Sequence, residues 1–223
     1  QEAELLLRKA IELNPNFAEA YSNLGGILTE VGKSQEAFNS YLKAIEINPV
    51  NSNIYHSIIQ FLSVSDLSQL NKSKLKNIIS ILIERNDLSH QELFKAFHFL
   101  YSQFLINLEK LDSYPSNIKF FTNDDLIIKA LKKIIFKDPK LEKILTKIRK
   151  NLCKQISKNR VINDQSEFEF IIALAEQCFL NEYIYSLTEE ENISINIILQ
   201  RCREGEINER NIAILSCYFP LYK

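Results

Sequence analysis

Hydrophobic side chains recur at intervals of three and four residues through most of the chain, which is the spacing of an amphipathic helix. Two such stripes are listed here: Ala18, Tyr21, Leu24, Gly25 and Leu28, and Leu141, Ile144, Leu145, Ile148 and Leu152. No segment shows the sustained apolar–polar alternation of a β-strand. With 4 Gly and 5 Pro in 223 residues, turn residues are also too few for many short strands. The pattern predicts an all-α protein.

Two stretches of the chain repeat at an offset of 34 residues. Residues 1–16 and 35–50 are identical at nine of sixteen positions. Thirty-four residues is the length of a helix–turn–helix unit of the tetratricopeptide type. Residues 18–51 resemble a tetratricopeptide repeat (TPR) at nine marked positions: Tyr21, Leu24, Gly25, Leu28, Gly32, Ala37, Tyr41, Ala44 and Pro49. The resemblance implies two antiparallel helices that stack on their neighbours as a solenoid.

Small and turn-forming residues set the expected geometry of this repeat. Gly25 and Ala37 would let the two helices approach closely, and Pro49 would end the second helix. We expect Gly32 to end the first helix and Ser34 to cap the second.

The flanking segments complete a predicted TPR region over residues 1–87. Residues 1–17 resemble the second helix of a preceding repeat, and residues 52–87 a diverged repeat with a longer loop at 64–71. In the diverged repeat, Ile59 replaces the small glycine and Asp87 stands in place of the proline. The chain begins at Gln1, contains no Met and shows no signal leader, so we expect it to be a piece of a longer polypeptide. No apolar run is long enough to cross a membrane.

Residues 88–223 keep the helical period but lose the 34-residue repeat, which predicts a non-repeat α-helical domain. Its first helix is predicted over residues 90–111, followed by a break at Tyr114–Pro115 and a loop with Phe120 and Phe121. Five later helices are predicted from their start signals: Asn123 or Asp124, Asp138–Pro139, a capping box Ser166 and Glu169, Thr188–Glu191, and Asn208. We expect the helix after Asp124 to end near Lys137 and the last to end near Tyr218.

Charge is distributed unevenly although the whole chain has a formal charge of −1. Residues 119–160 carry 13 basic and 4 acidic groups, and residues 161–210 carry 3 basic and 11 acidic groups. The basic segment would suit nucleic acid, which is the third function considered. We favour instead the interpretation that the opposite charges of these two segments compensate each other on neighbouring helices. The lysines flank an apolar stripe, whereas a single-strand binder would alternate them with stacking aromatic residues.

The residues that most often bind metals or form disulfides are dispersed. Cys153, Cys178, Cys202 and Cys217 contain no Cys-x-x-Cys pair, and His56, His90 and His98 form no ligand spacing. We interpret the cysteines as buried reduced thiols and expect a cytoplasmic protein without metal, cofactor or membrane anchor.

Three segments resemble one family of large bacterial proteins. Residues 137–149, 173–191 and 218–222 resemble the helical region that joins TPRs to a methyltransferase dependent on S-adenosylmethionine, a likeness covering most of 123–222. It implies an accessory region that docks against, and positions, a methyltransferase domain following in the same polypeptide. The glycines of this chain form no Gly-x-Gly turn and no βαβ pattern is present, so we expect no catalytic residue and no enzyme activity in the chain itself.

The segment 173–191 is dense in polar residues for a helix. Its polar side chains can form a network, though their spacing does not identify a catalytic pair: Glu176, Gln177, Asn181, Glu182 and Tyr183.

The favoured function is a protein-interaction module, with the first helix of each repeat lining a concave groove. By resemblance to the usual groove positions, the candidate residues are Glu19, Ser22, Asn23, Gly26, Thr29, Glu30, Asn53, His56, Ser57, Gln60 and Ser63. They form a polar, nearly uncharged face that suits an extended peptide, and Asn23 occupies a position that often binds peptide backbone. Because no Lys or Arg is included, we do not expect capture of a C-terminal carboxylate. Plain surface polarity is the alternative interpretation of each residue.

Overall fold

The computed structural model describes residues 2–110, 119, 121–160, 162 and 164–220. Across these residues it contains eleven α-helices and no β-strand, so the predicted all-α class is confirmed. None of the described helices combines the length and apolar character needed to cross a membrane. The chain divides into two compact units, residues 1–100 and 101–223. The predicted domain boundary after residue 87 stays a prediction, because this division reflects packing alone.

The first unit consists of short helices in sequence. They are α1 (Glu2–Leu13), α2 (Ala18–Glu30), α3 (Ser34–Ile47), α4 (Ser52–Val64), α5 (Lys72–Glu84) and the start of α6 (Phe94–Lys110). Short 3-10 helices precede α5 and α6, at Leu67–Gln69 and His90–Leu93. The predicted helix over 90–111 therefore begins as a 3-10 turn. Three apolar residues in its second half, Phe104, Leu105 and Leu108, have side chains outside the described part.

Helices α2 and α3 pack closely because small residues lie at their contact. A Cβ added to Gly25 would lie 2.8–2.9 Å from three carbon atoms of the Tyr41 ring. Ala37 and Ala44 are fully buried on the facing helix. The Tyr41 ring lies 5.5 Å from the ring of Phe61, which links the pair to α4. The predicted role of Gly25 is thereby confirmed.

The turn between α2 and α3 differs from the prediction at one residue. Gly32 ends α2 with φ of 75°, and the Lys33 N–H donates to the Leu28 carbonyl at 2.9 Å. This compact turn leads directly into α3, so Ser34 is already the first helical residue and is 5 % exposed. The prediction that Ser34 caps α3 is wrong: Lys33 occupies the cap position, without a side-chain hydrogen bond.

The diverged repeat is packed differently from the clean one. Helix α4 packs against α2, α3 and the 3-10 turn at His90–Leu93, whereas α4 and α5 lack the close backbone approach of α2 and α3. Ile59 replaces the glycine of the clean repeat and is 3 % exposed, so a branched side chain fills the space that a second backbone would need. Helix α5 buries its whole apolar face: Leu75, Ile78, Ile79, Leu82 and Ile83.

The second unit contains five described helices beyond α6. They are α7 (Asp125–Lys133), α8 (Pro139–Ser157), α9 (Gln165–Leu180), α10 (Glu189–Arg203) and α11 (Glu209–Ser216). Helix α9 packs against α7 and α11, and α8 packs against α10. The predicted start signals at Asp124, Asp138, Thr188 and Asn208 are confirmed as N-caps.

Two predictions about helix ends in this unit are wrong. The capping box at Ser166 and Glu169 does not form, because the Asp164 carboxylate accepts the Ser166 N–H at 2.8 Å and starts α9 earlier. Helix α7 ends at Lys133, about one turn before the expected residue 137. The predictions at Tyr114–Pro115, Phe120 and Tyr222 lie outside the described residues.

Candidate functional site

The candidate residues on α2 occupy the side opposite the buried stripe. Glu19, Asn23, Gly26 and Glu30 are spaced by four, three and four residues and therefore share one helix face. The first, second and fourth are exposed, and Gly26 is half-buried. Ser22 and Thr29 flank this face and are also half-buried.

Helix α4 presents a similar polar face. Asn53, His56, Gln60 and Ser63 are exposed and Ser57 is half-buried, while the apolar residues of the helix are buried on its other side. Because α2 packs against α4, the two candidate rows belong to neighbouring helices.

Val64 extends the α4 face and was missed by the sequence analysis. Its side chain is 65 % exposed at the end of α4. It lies four residues after Gln60 and eleven after Asn53, the spacing that identifies the exposed face. An apolar residue at such a position was the signal that could have found it.

Several candidate side chains are bound within their own helix. The Thr29 hydroxyl donates to the Gly25 carbonyl at 2.7 Å. The Ser57 hydroxyl donates to the Asn53 carbonyl at 3.0 Å, and the Ser63 hydroxyl donates to the Gln60 carbonyl at 2.7 Å. These hydroxyl protons are therefore already used. His56 Nδ1 lies 2.9 Å from the Ser52 carbonyl oxygen.

Three amide side chains are available in contrast. Asn23, Asn53 and Gln60 have no side-chain hydrogen bond to any residue that the structure describes. A primary amide offers two donor protons and one acceptor oxygen, which match the carbonyl and N–H of a peptide bond. These three residues are the part of the predicted site that is best suited to bind a peptide backbone.

An ionic contact fixes the first turn of α4 beside this face. The Ser52 hydroxyl donates to Asp87 Oδ2 at 2.5 Å, and Arg85 Nη2 lies 2.7 Å from the same oxygen. The Arg85 guanidinium, followed by the Ser52 hydroxyl, holds the pKa of the Asp87 carboxyl well below its usual range. The same guanidinium lies 4.0 Å above the Tyr55 ring centre. Asp87 thus ties α4 to the end of α5 at the position where a clean repeat has proline.

The second unit contains a buried ion pair that the sequence analysis missed. Arg149 on α8 and Glu191 on α10 are each 1 % exposed, and Nη2 lies 3.1 Å from Oε1. Arg149 also donates to the Ser186 carbonyl at 2.8 Å, and the Tyr218 hydroxyl donates to Glu191 Oε1 at 3.1 Å. Glu191 Oε2 accepts both the N–H and the hydroxyl of Thr188. Each charge is therefore compensated and hydrogen-bonded.

Three of the four cysteines surround this pair. Cys153, Cys178 and Cys217 are fully buried, whereas Cys202 is half-buried, contrary to the prediction of four buried thiols. Burial raises the pKa of Cys153 to about 11 and that of Cys217 well above its usual value. A hydrogen bond with Cys217, and then the charge of Arg149, lower the pKa of Cys178. The ion pair and the three thiols are thus shielded from solvent within the second unit.

The polar network predicted within 173–191 does not form. Glu176 and Glu182 are exposed, and neither amide atom of the buried Gln177 has a partner among the described residues. Asn181 donates instead to the Tyr185 hydroxyl at 2.8 Å. Glu176 and Gln177 are adjacent in α9 and point in different directions, so a high density of polar residues along the sequence did not indicate that their side chains lie close together.

Oppositely charged segments are neighbours in this unit. Two ion pairs join α8 to α10, Arg149 to Glu191 and Lys150 to Glu190, the second at 3.1 Å. The lysines considered for nucleic acid are half-buried or exposed: Lys132, Lys133, Lys137, Lys140, Lys143 and Lys147. The absence of specific nucleic-acid binding stays a prediction.

Comparison with known proteins supports the repeat. Residues 6–39, which extend from α1 through α2 into α3, match the sequence model of the tetratricopeptide repeat family. The chain is also similar to Protein O-mannosyl-transferase TMTC3 from Homo sapiens and from Mus musculus, at 34 % identity over 58 residues in each case. These matches cover 26 % of this chain and 6 % of each relative. No solved structure matches the chain.

The chain therefore contains a tetratricopeptide repeat, a structure typical of protein–protein interaction modules. The matched residues start twelve positions before the repeat predicted at 18–51, since the matched unit begins within α1. The resemblance of residues 123–222 to methyltransferase-linked proteins stays a prediction.

Proposed function

We propose that the exposed face of α2 and α4 binds an extended peptide segment of a partner protein. The observation that carries this proposal is the set of three available amides, Asn23, Asn53 and Gln60, on two neighbouring helices. Amides on a rigid helical surface can bind the backbone of an extended chain without requiring one particular side-chain sequence. This suits recognition of a peptide rather than catalysis.

The other residues of this face define the expected ligand. Glu19 and Glu30 are exposed at the two ends of α2, and no Lys or Arg belongs to the candidate set. A peptide with neutral or basic side chains is therefore favoured over one that presents a carboxylate. Val64 offers an exposed apolar contact at the end of α4.

Peptide display on the intact chain tests this proposal. Peptides of twelve random residues would be selected on the chain, and their affinity measured by fluorescence anisotropy. Each amide hydrogen bond contributes about 0.5–1.5 kcal/mol net, so Asn23→Ala and Gln60→Ala should each weaken binding several-fold. Both positions are exposed, so the repeat should remain folded.

Asn39→Ala supplies the matched control. Asn39 is an exposed amide on α3, outside the candidate face, and its substitution should leave the affinity unchanged. Loss of binding in Asn39→Ala with retention in Asn23→Ala and Gln60→Ala would place the peptide elsewhere and reject the proposal.

An accessory role in a methyltransferase is the second proposal, and the resemblance of residues 123–222 supports it. These residues would position a methyltransferase domain in the same polypeptide, in the cytoplasm. The sequence of the full gene tests this role directly. A predicted strand followed by a glycine-rich turn after residue 223 would support it, and a complete gene without that pattern would reject a domain in cis.

A further inference from the structure

Helices α9 and α11 of the second unit enclose an apolar groove of about 570 Å³. Its walls are formed mainly by Phe168, Ile172, Ala175 and Phe179 on one side and Ile212 and Ala213 on the other. Phe179 is 53 % exposed and Ile212 is 42 % exposed, so large apolar side chains on both walls face solvent. An exposed apolar groove between helices is typical of a binding site.

The charged residues that line the groove are acidic, and one lies on each wall. Glu176 belongs to α9 and Glu209 to the first turn of α11, and both are exposed. Residues 161–200, which include all of α9, carry eight acidic residues and no Lys or Arg. Arg210 on α11 is held over the Phe168 ring at 5.3 Å. The groove therefore offers apolar contact flanked by two exposed carboxylates, with the Arg210 guanidinium beside one wall.

The turn after α9 forms one end of the groove. Glu182 and Tyr183 have φ of 52° and 57°, a left-handed conformation that costs energy for residues with a side chain. The turn is held by the Tyr183 N–H, which donates to the Cys178 carbonyl at 2.8 Å. It places the Tyr183 ring edge-on to Phe179, with 6.4 Å between ring centres, among the lining residues.

We propose that this groove binds an amphipathic helix of a partner protein, with basic residues beside its apolar stripe. Two features of the groove, its apolar walls and its exposed carboxylates, favour an amphipathic helix as the ligand. Apolar side chains on both walls can contact residues spaced by three and four on the incoming helix, and the carboxylates of Glu176 and Glu209 can meet its flanking cations. This site lies in the second unit and is independent of the peptide-binding face proposed for α2 and α4.

A designed peptide provides the probe. A fluorescein-labelled helical peptide of Leu, Ala and Lys, with Leu at positions i, i+3, i+4 and i+7, would be titrated against the full chain in 0.15 M salt. We expect saturable binding in fluorescence anisotropy. A counterpart with every Lys replaced by Glu should bind at least tenfold more weakly, because its charges repel the groove.

Substitutions in the groove test the location. Phe179→Ser combined with Ile212→Ser should weaken binding at least tenfold. The matched control combines Ile193→Ser and Ile197→Ser on α10, which remove side chains that are 57 % and 40 % exposed outside the groove, and it should bind normally. Glu176→Gln with Glu209→Gln preserves the apolar walls and should weaken binding several-fold with a smaller dependence on salt.

Four results would overturn the proposal: no binding, equal binding of the Lys and Glu peptides, full binding by the Phe179 and Ile212 variant, or loss of binding in Asn23→Ala. The last would place the helix on the α2 face. A small hydrophobic amine that binds the groove and leaves peptide binding unchanged when added in excess would also overturn it. Circular dichroism of each variant separates loss of binding from loss of fold.

Discussion

The two units of this chain differ in what they bury. In the described part of the first unit, the buried polar residues are three serines: Ser34, Ser40 and Ser65. The second unit buries charges and amides as well: Arg149, Glu167, Gln177, Asn181, Glu191 and Asn211. The first core depends on the fit of apolar and small side chains. The second also depends on polar pairing, which involves each of these residues except Gln177.

This difference determines how each unit should respond to substitution. An apolar core loses stability in proportion to the volume and contacts removed. A buried charge that loses its partner keeps its desolvation cost without compensation, so a single substitution has a larger effect. The second unit should therefore be the more sensitive to changes at a few residues.

The largest effect is expected for Arg149→Ala. The substitution leaves Glu191 buried without its cation, and breaking a buried pair costs about 3–5 kcal/mol in free energy of unfolding. Denaturant unfolding followed by circular dichroism would measure this loss. The double variant Arg149→Met with Glu191→Leu removes both charges and should be considerably more stable than the single variant.

An exposed pair in the first unit provides the control. Arg8 lies 2.8 Å from Glu4 and 3.1 Å from Glu36, with its side chain 45 % exposed. Arg8→Ala should cost less than about 1 kcal/mol, because water compensates exposed charges. Equal losses in Arg8→Ala and Arg149→Ala would contradict the contrast between the units.

Alkaline pH should destabilise the second unit before the first. Burial raises the pKa of Cys153 to about 11, and burial also raises the pKa values of Cys217, Tyr185 and Tyr218. The pKa of Cys178 is instead lowered, mainly by its hydrogen bond with Cys217. In the first unit, burial raises the pKa of Tyr41.

The direction in which stability changes with pH follows from the number of protons that the folded and unfolded states bind. Between pH 9 and 11 an unfolded Cys153 loses its proton while the folded one keeps it, so stability present below pH 9 is lost as the pH rises. The shift of two pKa units corresponds to at most about 3 kcal/mol. Methyl NMR should show the signal of Ile198 changing at lower pH than that of Ile58. Cys153→Ala should reduce the pH dependence, and Cys202→Ala should not.

Most of the helix packing in the first unit was predictable, because small residues at fixed positions of the repeat mark where its helices approach closely. The period of 34 residues identified the pairing of α2 with α3, and the small residues Gly25 and Ala37 indicated that the two helices approach closely. The candidate residues came from resemblance to the usual groove positions, and the structure places them on exposed or half-buried helix faces. The altered packing of α4 and α5 was not predictable from the sequence. Ile59 in place of the glycine indicates that the close helix approach is lost, but it does not indicate which elements α4 contacts instead.

The buried ion pair of Arg149 and Glu191 in the second unit was not predictable from the helical spacing of apolar residues alone. Arg149 lies four residues after Leu145 and three before Leu152, on the buried side of α8, and this position was the available signal. Its partner Glu191 is 42 residues away and was recognised only as part of a predicted helix start. Pairing between distant residues depends on how the helices pack, which spacing within one helix does not determine.

A smaller effect is expected for Gly25→Ala in the first unit. The added Cβ would lie 2.8–2.9 Å from the Tyr41 ring, which is 3 % exposed and packed near Phe61. Overpacking of this kind costs about 1–3 kcal/mol, which thermal or denaturant unfolding can measure.

The adjacent glycine is its matched control. A Cβ on Gly26 would meet only the Tyr41 hydroxyl oxygen, at 3.8 Å, an ordinary contact. Gly26→Ala should be neutral or stabilising by up to about 1 kcal/mol, because alanine favours helix. A similar loss in both variants would show that close packing at residue 25 does not stabilise the repeat.

The smallest effect concerns the helix starts, where side-chain capping is uniform after α6 and mixed in the first unit. All five described helices after α6 have a side-chain cap, from Asp124, Asp138, Asp164, Thr188 and Asn208. In the first unit, α4 and α5 are capped by Asn51 and Asn71, whereas α2 and α3 have no side-chain cap. Asp138→Ala removes an acceptor that bonds two backbone N–H groups at 2.8 Å and should cost about 1 kcal/mol. Lys33→Ala, at the uncapped start of α3, should change the free energy of unfolding by no more than a few tenths of a kcal/mol, since it loses only a weak exposed contact with Glu4. Unfolding midpoints of the two variants measured side by side would reveal the difference, and equal shifts would show that the side-chain cap of α8 contributes no more to stability than the uncapped start of α3.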